Sequence, residues 1–244
     1  MTETEELMRL TGAALVMFSA APGHEITLTG SGVMAYSGEA LADFNTAFVW
    51  PGPGAAAFVS HAAGRAQARD LPMMLIADPE VGDAPAADGL ALEASLPLMV
   101  LRMAEAPWPS RACEIRRAVG EAAGIVAGDL AAAAFGLPRE IVARCWDVTL
   151  APTSTAQTFI AWDGGEPMSA VTLSRHGTTV GVWTMATPPE RQGQGWGRAL
   201  LTQVLDTCRR EGVDRAYLYA TPAGAPLYRS IGFATVADLP VWVM

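Results

Sequence analysis

The sequence predicts an α/β (α+β) chain of two similar domains, each a mixed, mostly antiparallel sheet flanked by helices. Three observations carry this. In the second half, three strand-like segments lead into a glycine-rich loop and an amphipathic helix. The first half repeats part of that punctuation. Apolar residues make up 51% of the 244 positions and charged residues only 17%, which supplies a core and excludes a disordered chain.

The strand segments are residues 158–162, 169–174 and 179–186, rich in β-branched and aromatic side chains. Asp163-Gly164-Gly165 and Arg175-His176-Gly177 separate them as turns, which reads as an antiparallel meander. The run 188–197 is a loop by its prolines and glycines. From Arg198, Leu201, Val204, Leu205 and Cys208 recur at helical spacing. Arg209 and Arg210 suit a last turn, and Gly212 stops the helix. A strand (216–220), a short helix (223–230) and a final strand pair around 233–244 follow. Upstream, 111–134 and 139–146 look helical. So does 10–20, which is too short to span a bilayer and is read as packed on a core.

Sliding the chain against itself so that Gly52 and Gly54 fall on Gly195 and Gly197 gives an ungapped match over about fifty residues. Leu75, Ala77 and Pro79 then fall on Leu218, Ala220 and Pro222, and Gly89-Leu90-Ala91 on Gly232-Phe233-Ala234. Glycine and proline marks in register argue for two copies of one fold. Two prolines around one residue resist helix and sheet, so 106–109 reads as the linker. The expected domains are residues 1–107 and 108–244.

A formal net charge of −9 disfavours nucleic acid and anionic lipid as partners. Cys113, Cys145 and Cys208 form no CxxC pair, and His24, His61 and His176 have no metal-ligand spacing, so neither disulfide framework nor metal is expected. The acidic start of the chain lacks the basic flank of a secretory signal. A cytoplasmic protein with reduced cysteines is the expectation.

The strongest chemical signal is Gln192, Gly193, Gln194, Gly195, Trp196, Gly197 and Arg198, between a strand and a helix. Glycines let a ligand approach the backbone, and the first N–H groups of a helix lack partners and carry partial positive charge. Together they suit a diphosphate. Arg198 in the first turn opposes the helix dipole unless an anion is bound, and Arg191 flanks the other side. There is no lysine for a Walker loop, and the third glycine comes one residue early for a dinucleotide fold.

Q-x-x-G-x-G from Gln192, followed by Leu227-Tyr228-Arg229-Ser230-Ile231-Gly232-Phe233, resembles the two signatures of the GCN5-related N-acetyltransferase (GNAT) family. The resemblance covers roughly 111–244, and the first half then resembles a degenerate copy in a tandem arrangement. It implies transfer of an acetyl group from acetyl-CoA, the co-substrate, to an amine by direct attack. It implies that Met185, Ala186 and Thr187 pair with the pantetheine arm, that Gln192 to Arg198 hold the diphosphate, and that Tyr228 is the general acid. An N–H near Ala186 would stabilise the oxyanion. The acceptor would be a small-molecule amine or a peptide amino group, and a homodimer is one assembly the family allows. The fourth strand, 179–186, lacks the carboxylate many members use as base, so water is a candidate base. Thr221 stands where the family often has Asn. The missing carboxylate keeps a second reading open, a non-catalytic acyl-CoA-binding sensor or regulatory module.

In the first half, Val49, Trp50 and Pro53 replace Gln192, Gly193 and Trp196, and Pro85 falls on Tyr228. No cofactor site is expected there, with Trp50 filling the phosphate position. Asn45 reads as capping a turn. Cys208 and Met73, Met74 and Met99 read as core. Trp183 reads as core or as lining for the acceptor pocket.

Overall fold

A computed structural model describes residues 1–18, 24–105, 112–146 and 156–244. The expected linker at 106–109 lies outside the described residues. The chain forms two compact units, Met1–Leu98 with Thr235–Met244, and Met99–Ala234.

In the first unit, α1 (Glu3–Phe18) opens with Glu3, Glu5 and Glu6, acids that favour the positive end of a helix. Its Leu7, Met8, Thr11 and Ala14 are buried. Strands β1 (Glu25–Leu28), β2 (Gly32–Tyr36) and β3 (Asn45–Val49) make antiparallel pairs. Helix α2 (Ala55–Arg69) then crosses back to β4 (Met74–Ala77), which runs parallel to β3. A short helix α3 (Ala84–Ala87) leads into β5 (Ala91–Arg102). The core joins Met34, Tyr36, Val49, Phe58, Val59, Met73 and Leu75. Asn45, wholly buried, accepts from Ser37 N–H and donates to Glu39 O, Leu41 O and Pro72 O. It ties the β2–β3 turn to the start of β4, a larger structural task than capping one turn.

In the second unit, β6 (Glu114–Arg117), β7 (Ala156–Asp163), β8 (Glu166–His176) and β9 (Thr179–Ala186) pair antiparallel in sequence. Between β6 and β7 lie α4 (Glu121–Phe135) and α5 (Arg139–Trp146). After β9 come α6 (Trp196–Arg210), β10 (Arg215–Tyr219), parallel to β9, and α7 (Ala225–Ile231). Helix α6 buries Leu200, Leu201, Val204 and Leu205 against Val180, Val182 and Leu218 of the sheet. Cys208 is partly buried against that core, and burial pushes its thiol up to about 11.

Two sequence expectations are corrected. The helix expected from 111 begins only at Glu121, because Gly120 adopts a left-handed conformation and Glu114–Arg117 pair with Phe159–Trp162 as an edge strand. The final strand pair is one continuous strand, β11 (Ala234–Val243), since no turn interrupts it.

The order α2, β4, α3, β5 of the first half recurs as α6, β10, α7, β11 in the second. The ends of these copies are exchanged. β11 pairs antiparallel with β4, Met73 and Met244 bond through both backbone groups, and Trp242 enters the first unit's core. Met99, Leu101 and Met103 enter the second unit's core, and Met103 N–H donates to Asp214 O. The compact units therefore differ from the division 1–107 and 108–244 in where both last strands belong.

Candidate active site

All the sequence-predicted site residues fall in the second unit. β10 pairs with β9 only from Arg215 on Thr179 to Tyr217 on Gly181, although both strands run on, to Tyr219 and Ala186. The strands part beyond Gly181 and Tyr217. The cause lies on the other side of β9. From Ala170 to Thr172 of β8, β9 advances from Ala186 to Trp183, one residue too many, which is a β-bulge. Within it Thr184 has φ +47, a conformation a β-branched residue adopts at a cost of about 1–3 kcal/mol. Strain of this kind persists where the surroundings impose it, and here it bends β9 away from β10.

The end of β9 is held firmly. Ser169 Oγ donates to Ala186 O at 2.8 Å and lies 2.8 Å from Thr187 Oγ1, so the Thr187 hydroxyl donates in turn to Ser169. Both carbonyls there are engaged, since Gln192 Nε2 donates to Thr187 O at 2.9 Å. Gln192 thus closes the loop onto the strand. Gln194 Nε2 donates to Glu190 O, and Trp196, almost wholly buried, points its indole N–H at Gln194 Oε1 at 3.3 Å.

Gly193 (φ +72) and Gly195 (φ +83) take left-handed conformations that turn the loop into α6. Backbone bonding of α6 begins with Ala199 N–H on Gly195 O at 2.9 Å, so the preceding amides lie at the open end of the helix. Gly197 lies where α6 crosses the end of β9. A Cβ there would stand 3.1 Å from Thr187 Oγ1 and 3.2 Å from Met185 Cε. Met185, Thr187 and Gly197 are thus brought together, and the helix N-terminus sits at the strand end.

Arg198 is placed differently from the sequence argument. Its guanidinium donates to Ser230 O at 2.9 Å and Ser230 Oγ at 2.6 Å, at the C-terminal end of α7, where a helix favours a cation. Its backbone belongs to the first turn of α6, but its charge does not face the loop. Arg191 stands 3.8 Å from Glu166 and 3.9 Å from Glu190.

Tyr228 on α7 is 8% exposed, with its ring edge-on to Phe233 at 5.9 Å. Burial pushes its phenol up to about 12, so the hydroxyl keeps its proton at neutral pH. The hydroxyl has no hydrogen-bond partner in the protein among the described residues. Gly224 makes room for this ring, since a Cβ there would lie 2.9 Å from Tyr228 Cε2.

Sequence reasoning missed Ser169, whose only signal is its place on β8 opposite the end of β9. It left Trp183 undecided and did not name Tyr219. Trp183 and Tyr219 lie in the parting, with ring centroids 6.2 Å apart. Elsewhere in this unit, a cavity of about 560 Å³ lies between β6–β8 and α6, lined by Phe159, Leu173, Val204 and Arg175 among others and by none of the predicted site residues. Among the described residues no His, Cys, Asp and Glu gather to hold a metal, and no helix is long and apolar enough to cross a membrane.

The first unit holds the corresponding pair differently. β3 and β4 pair from Thr46 on Met74 to Val49 on Ala77, and Asp78 N–H continues the ladder to Val49 O at 2.9 Å. These strands do not part. Trp50 does not stand before α2. Its side chain alternates to the other face, where it packs against Gly12 of α1 and donates to Gly30 O at 2.7 Å.

Residues 130–233 match the model of the Acetyltransferase (GNAT) family. Among curated protein sequences, the chain is 39% identical over 57 residues to serotonin N-acetyltransferase 2, chloroplastic, of Oryza sativa subsp. japonica. It is 33% identical over 57 residues to an uncharacterized N-acetyltransferase, ycf52, of Gracilaria tenuistipitata var. liui. Each match covers 23% of this chain and spans less than a third of the relative, 28% and 31% respectively. Among solved structures, a GCN5-related N-acetyltransferase from Kribbella flavida aligns with TM-score 0.72 at 15% identity, covering 100% of this chain and 96% of that one. A tandem GNAT protein from the clavulanic acid biosynthesis pathway aligns with TM-score 0.62 at 15% identity, covering 92% and 84%. At such identities these two show the fold.

Proposed function

From the match of residues 130–233 to the GNAT acetyltransferase family and from the shared fold, we propose that the chain is an N-acetyltransferase moving an acetyl group from acetyl-CoA to an amine. The observation that best supports this is the parting of β9 from β10 beyond Gly181 and Tyr217, with the open end of α6 at the end of β9. An extended thioester arm needs a strand edge with unused backbone groups, and a diphosphate needs a helix N-terminus. Here one follows the other directly. In this reading Met185, Ala186 and Thr187 pair with the arm through backbone groups other than the Ala186 and Thr187 carbonyls, which Ser169 and Gln192 hold, and the amides from Gln192 to Arg198 receive the diphosphate.

In the reaction the amine nitrogen attacks the thioester carbon and the C–S bond breaks. The nitrogen loses a proton and the sulfur gains one. The Ala186 region supplies an N–H toward the developing oxyanion. Tyr228 is the proton donor to sulfur. A phenol near 12 is a weak acid toward an ordinary thiolate, whose conjugate thiol titrates near 8.5. Dry surroundings narrow that gap, as they do for Cys208, raised to about 11 in this same unit. A buried phenol and a buried thiolate are then close enough for transfer or a strong hydrogen bond.

β9 carries no carboxylate, so water takes the proton from the amine. That absence also favours a second reading, a sensor that binds acyl-CoA without turnover. The first unit, whose β3 and β4 stay paired, is in this proposal a degenerate copy without a cofactor site. Calorimetric titration with acetyl-CoA, followed by thiol release across a panel of small amines and peptide N-termini, tests both readings. Binding with turnover supports the enzyme, binding without any turnover supports the sensor, and no binding removes both.

A further inference from the structure

We propose that Ser169 is a positioning residue for the co-substrate. It fixes the peptide between Ala186 and Thr187 so that the Thr187 N–H faces the parting and receives an amide carbonyl of the pantetheine arm. The inference rests on the acetyltransferase reading above; it assigns one donor of that site and the side chain that aims it.

Ser169 lies on β8 beside Ala170, the residue that pairs with Ala186 of β9. It is wholly buried, and its hydroxyl donates to Ala186 O at 2.8 Å. The Ala186 carbonyl is therefore turned toward β8. The Ala186–Thr187 peptide is trans, and a planar trans peptide carries its carbonyl and its N–H on opposite sides. Turning Ala186 O toward β8 thus turns the Thr187 N–H away from β8. β9 lies between β8 and β10, and β10 has already left it beyond Gly181 and Tyr217. The Thr187 N–H opens on that gap.

That N–H has no hydrogen-bond partner among the described residues. The other polar groups of Thr187 are engaged. Its Oγ1 lies 2.8 Å from Ser169 Oγ and donates to it, and Gln192 Nε2 donates to its carbonyl at 2.9 Å. The next residue, Pro188, has no N–H to offer. A backbone N–H requires an acceptor, and here three side-chain bonds fix where that acceptor must stand before any ligand arrives. A donor held in advance does not have to be ordered on binding, which favours affinity.

The arm of coenzyme A carries amide groups between its diphosphate and its sulfur, so it offers carbonyl acceptors along an extended chain. With the diphosphate at the open end of α6, the arm runs back along the end of β9 and meets the Thr187 N–H. Ser169 itself stands on the β8 side of β9 and touches no ligand, so it acts through the peptide alone. The loop has bonds of its own, Gln192 to Thr187 O and Gln194 to Glu190 O. Loss of the Ser169 hydroxyl therefore reaches the arm's donor and leaves the amides at the start of α6 in place.

The test separates the arm from the diphosphate. Calorimetry compares acetyl-CoA with 3′-phospho-ADP, which keeps the diphosphate and lacks the arm. Ser169→Ala is expected to weaken acetyl-CoA about fivefold, the scale of one neutral hydrogen bond, with 3′-phospho-ADP changed by less than about twofold. The Thr187 amide proton, followed by NMR, is expected to move downfield with acetyl-CoA and to stay in place with 3′-phospho-ADP. In Ser169→Ala the acetyl-CoA shift should fall by about half or more, a loss on the same scale of one hydrogen bond. Should melting curves show Ser169→Ala unfolded, Ser169→Cys, which keeps the shape and weakens the donor, is read in its place with the same direction expected. Unchanged acetyl-CoA affinity in the variant, equal weakening of both ligands, or a wild-type Thr187 amide that does not respond to bound acetyl-CoA overturns the proposal. Failure of the wild-type chain to bind acetyl-CoA would instead remove the reading on which it rests.

Discussion

Gly197 and Thr187 meet so closely that a Cβ on the first would lie 3.1 Å from the hydroxyl of the second. That hydroxyl cannot retreat freely, because it bonds to Ser169, which also holds Ala186 O. The third glycine of the loop therefore serves the approach of α6 to β9, and φ plays no part in its selection. Gly197→Val should push the helix end from the strand end. The expected outcome is at least a tenfold loss of acetyl-CoA affinity by calorimetry, larger than for Gly197→Ala, whose methyl asks for a shift of a few tenths of an ångström.

Gly195 is chosen for a different reason. It has φ +83, where any other residue is strained by about 1–2 kcal/mol, and a carboxylate there would occupy the anion's place. Gly195→Glu should abolish acetyl-CoA binding, with Gly195→Ala intermediate. Retained binding in Gly195→Glu would mean that the anion sits elsewhere.

Tyr228→Phe removes a proton donor and keeps the ring that packs on Phe233. Turnover should fall about 10²-fold with acetyl-CoA affinity nearly intact. In the wild type the phenol near 12 keeps its proton across the working range. With an alkylamine acceptor the rate should therefore rise with pH as the amine loses its proton, and show no fall up to pH 10. A descending limb below pH 10 would count against Tyr228 as the acid.

The same burial makes a prediction for stability. Tyr228 and Tyr36 are both pushed up to about 12, so between about pH 10 and 12 the unfolded chain releases these protons and the folded chain keeps them. Stability falls as pH rises through that window. His176 acts at the other end. Burial lowers its titration and its Nε2 has no partner, so stability is lost as pH drops below about 6.5, where the unfolded histidine takes up a proton. Melting temperature against pH should show both shoulders. Tyr228→Phe should flatten the alkaline one, and His176→Gln the acid one.

Trimming the chain tests the exchange of strands. Removing Thr235–Met244 takes from β4 its antiparallel partner and Trp242 from the first unit's core. The expected result is loss of the first unit's fold, seen as early hydrogen exchange in β2–β4, although every deleted residue lies more than 130 positions beyond Leu98. Native exchange rates there after the deletion would refute the exchange.

The two signatures of the site were legible because loop glycines and a helix start are local chemistry. The gap from Gln192 to Tyr228 needs only one helix, one strand and a turn. The parting of β9 from β10 was not legible, since it depends on one extra residue between Ala186 and Trp183 and on Thr184 in an unusual conformation, neither of which leaves a mark in residue type. Arg198 misled because Ser230 supplies a partner from 32 positions away. Trp50 misled because the repeat aligns positions and says nothing of which face a side chain takes. The internal repeat was legible in glycines and prolines, but the end of the second copy was read as a strand pair where β11 is one continuous strand. Which sheet each strand would join is a matter of topology, and periodicity is silent on it.

The seating of β11 beside β4 has a consequence for how the molecule comes into being. Translation runs from the N-terminal side, yet the first half cannot be finished until Thr235–Met244 have left the ribosome. Until then β4 presents an open edge and an apolar hollow where Trp242 belongs, for the whole time the second half is being made. A nascent chain in that condition invites a neighbour's strand, so its safety lies in speed or in a chaperone that covers β4.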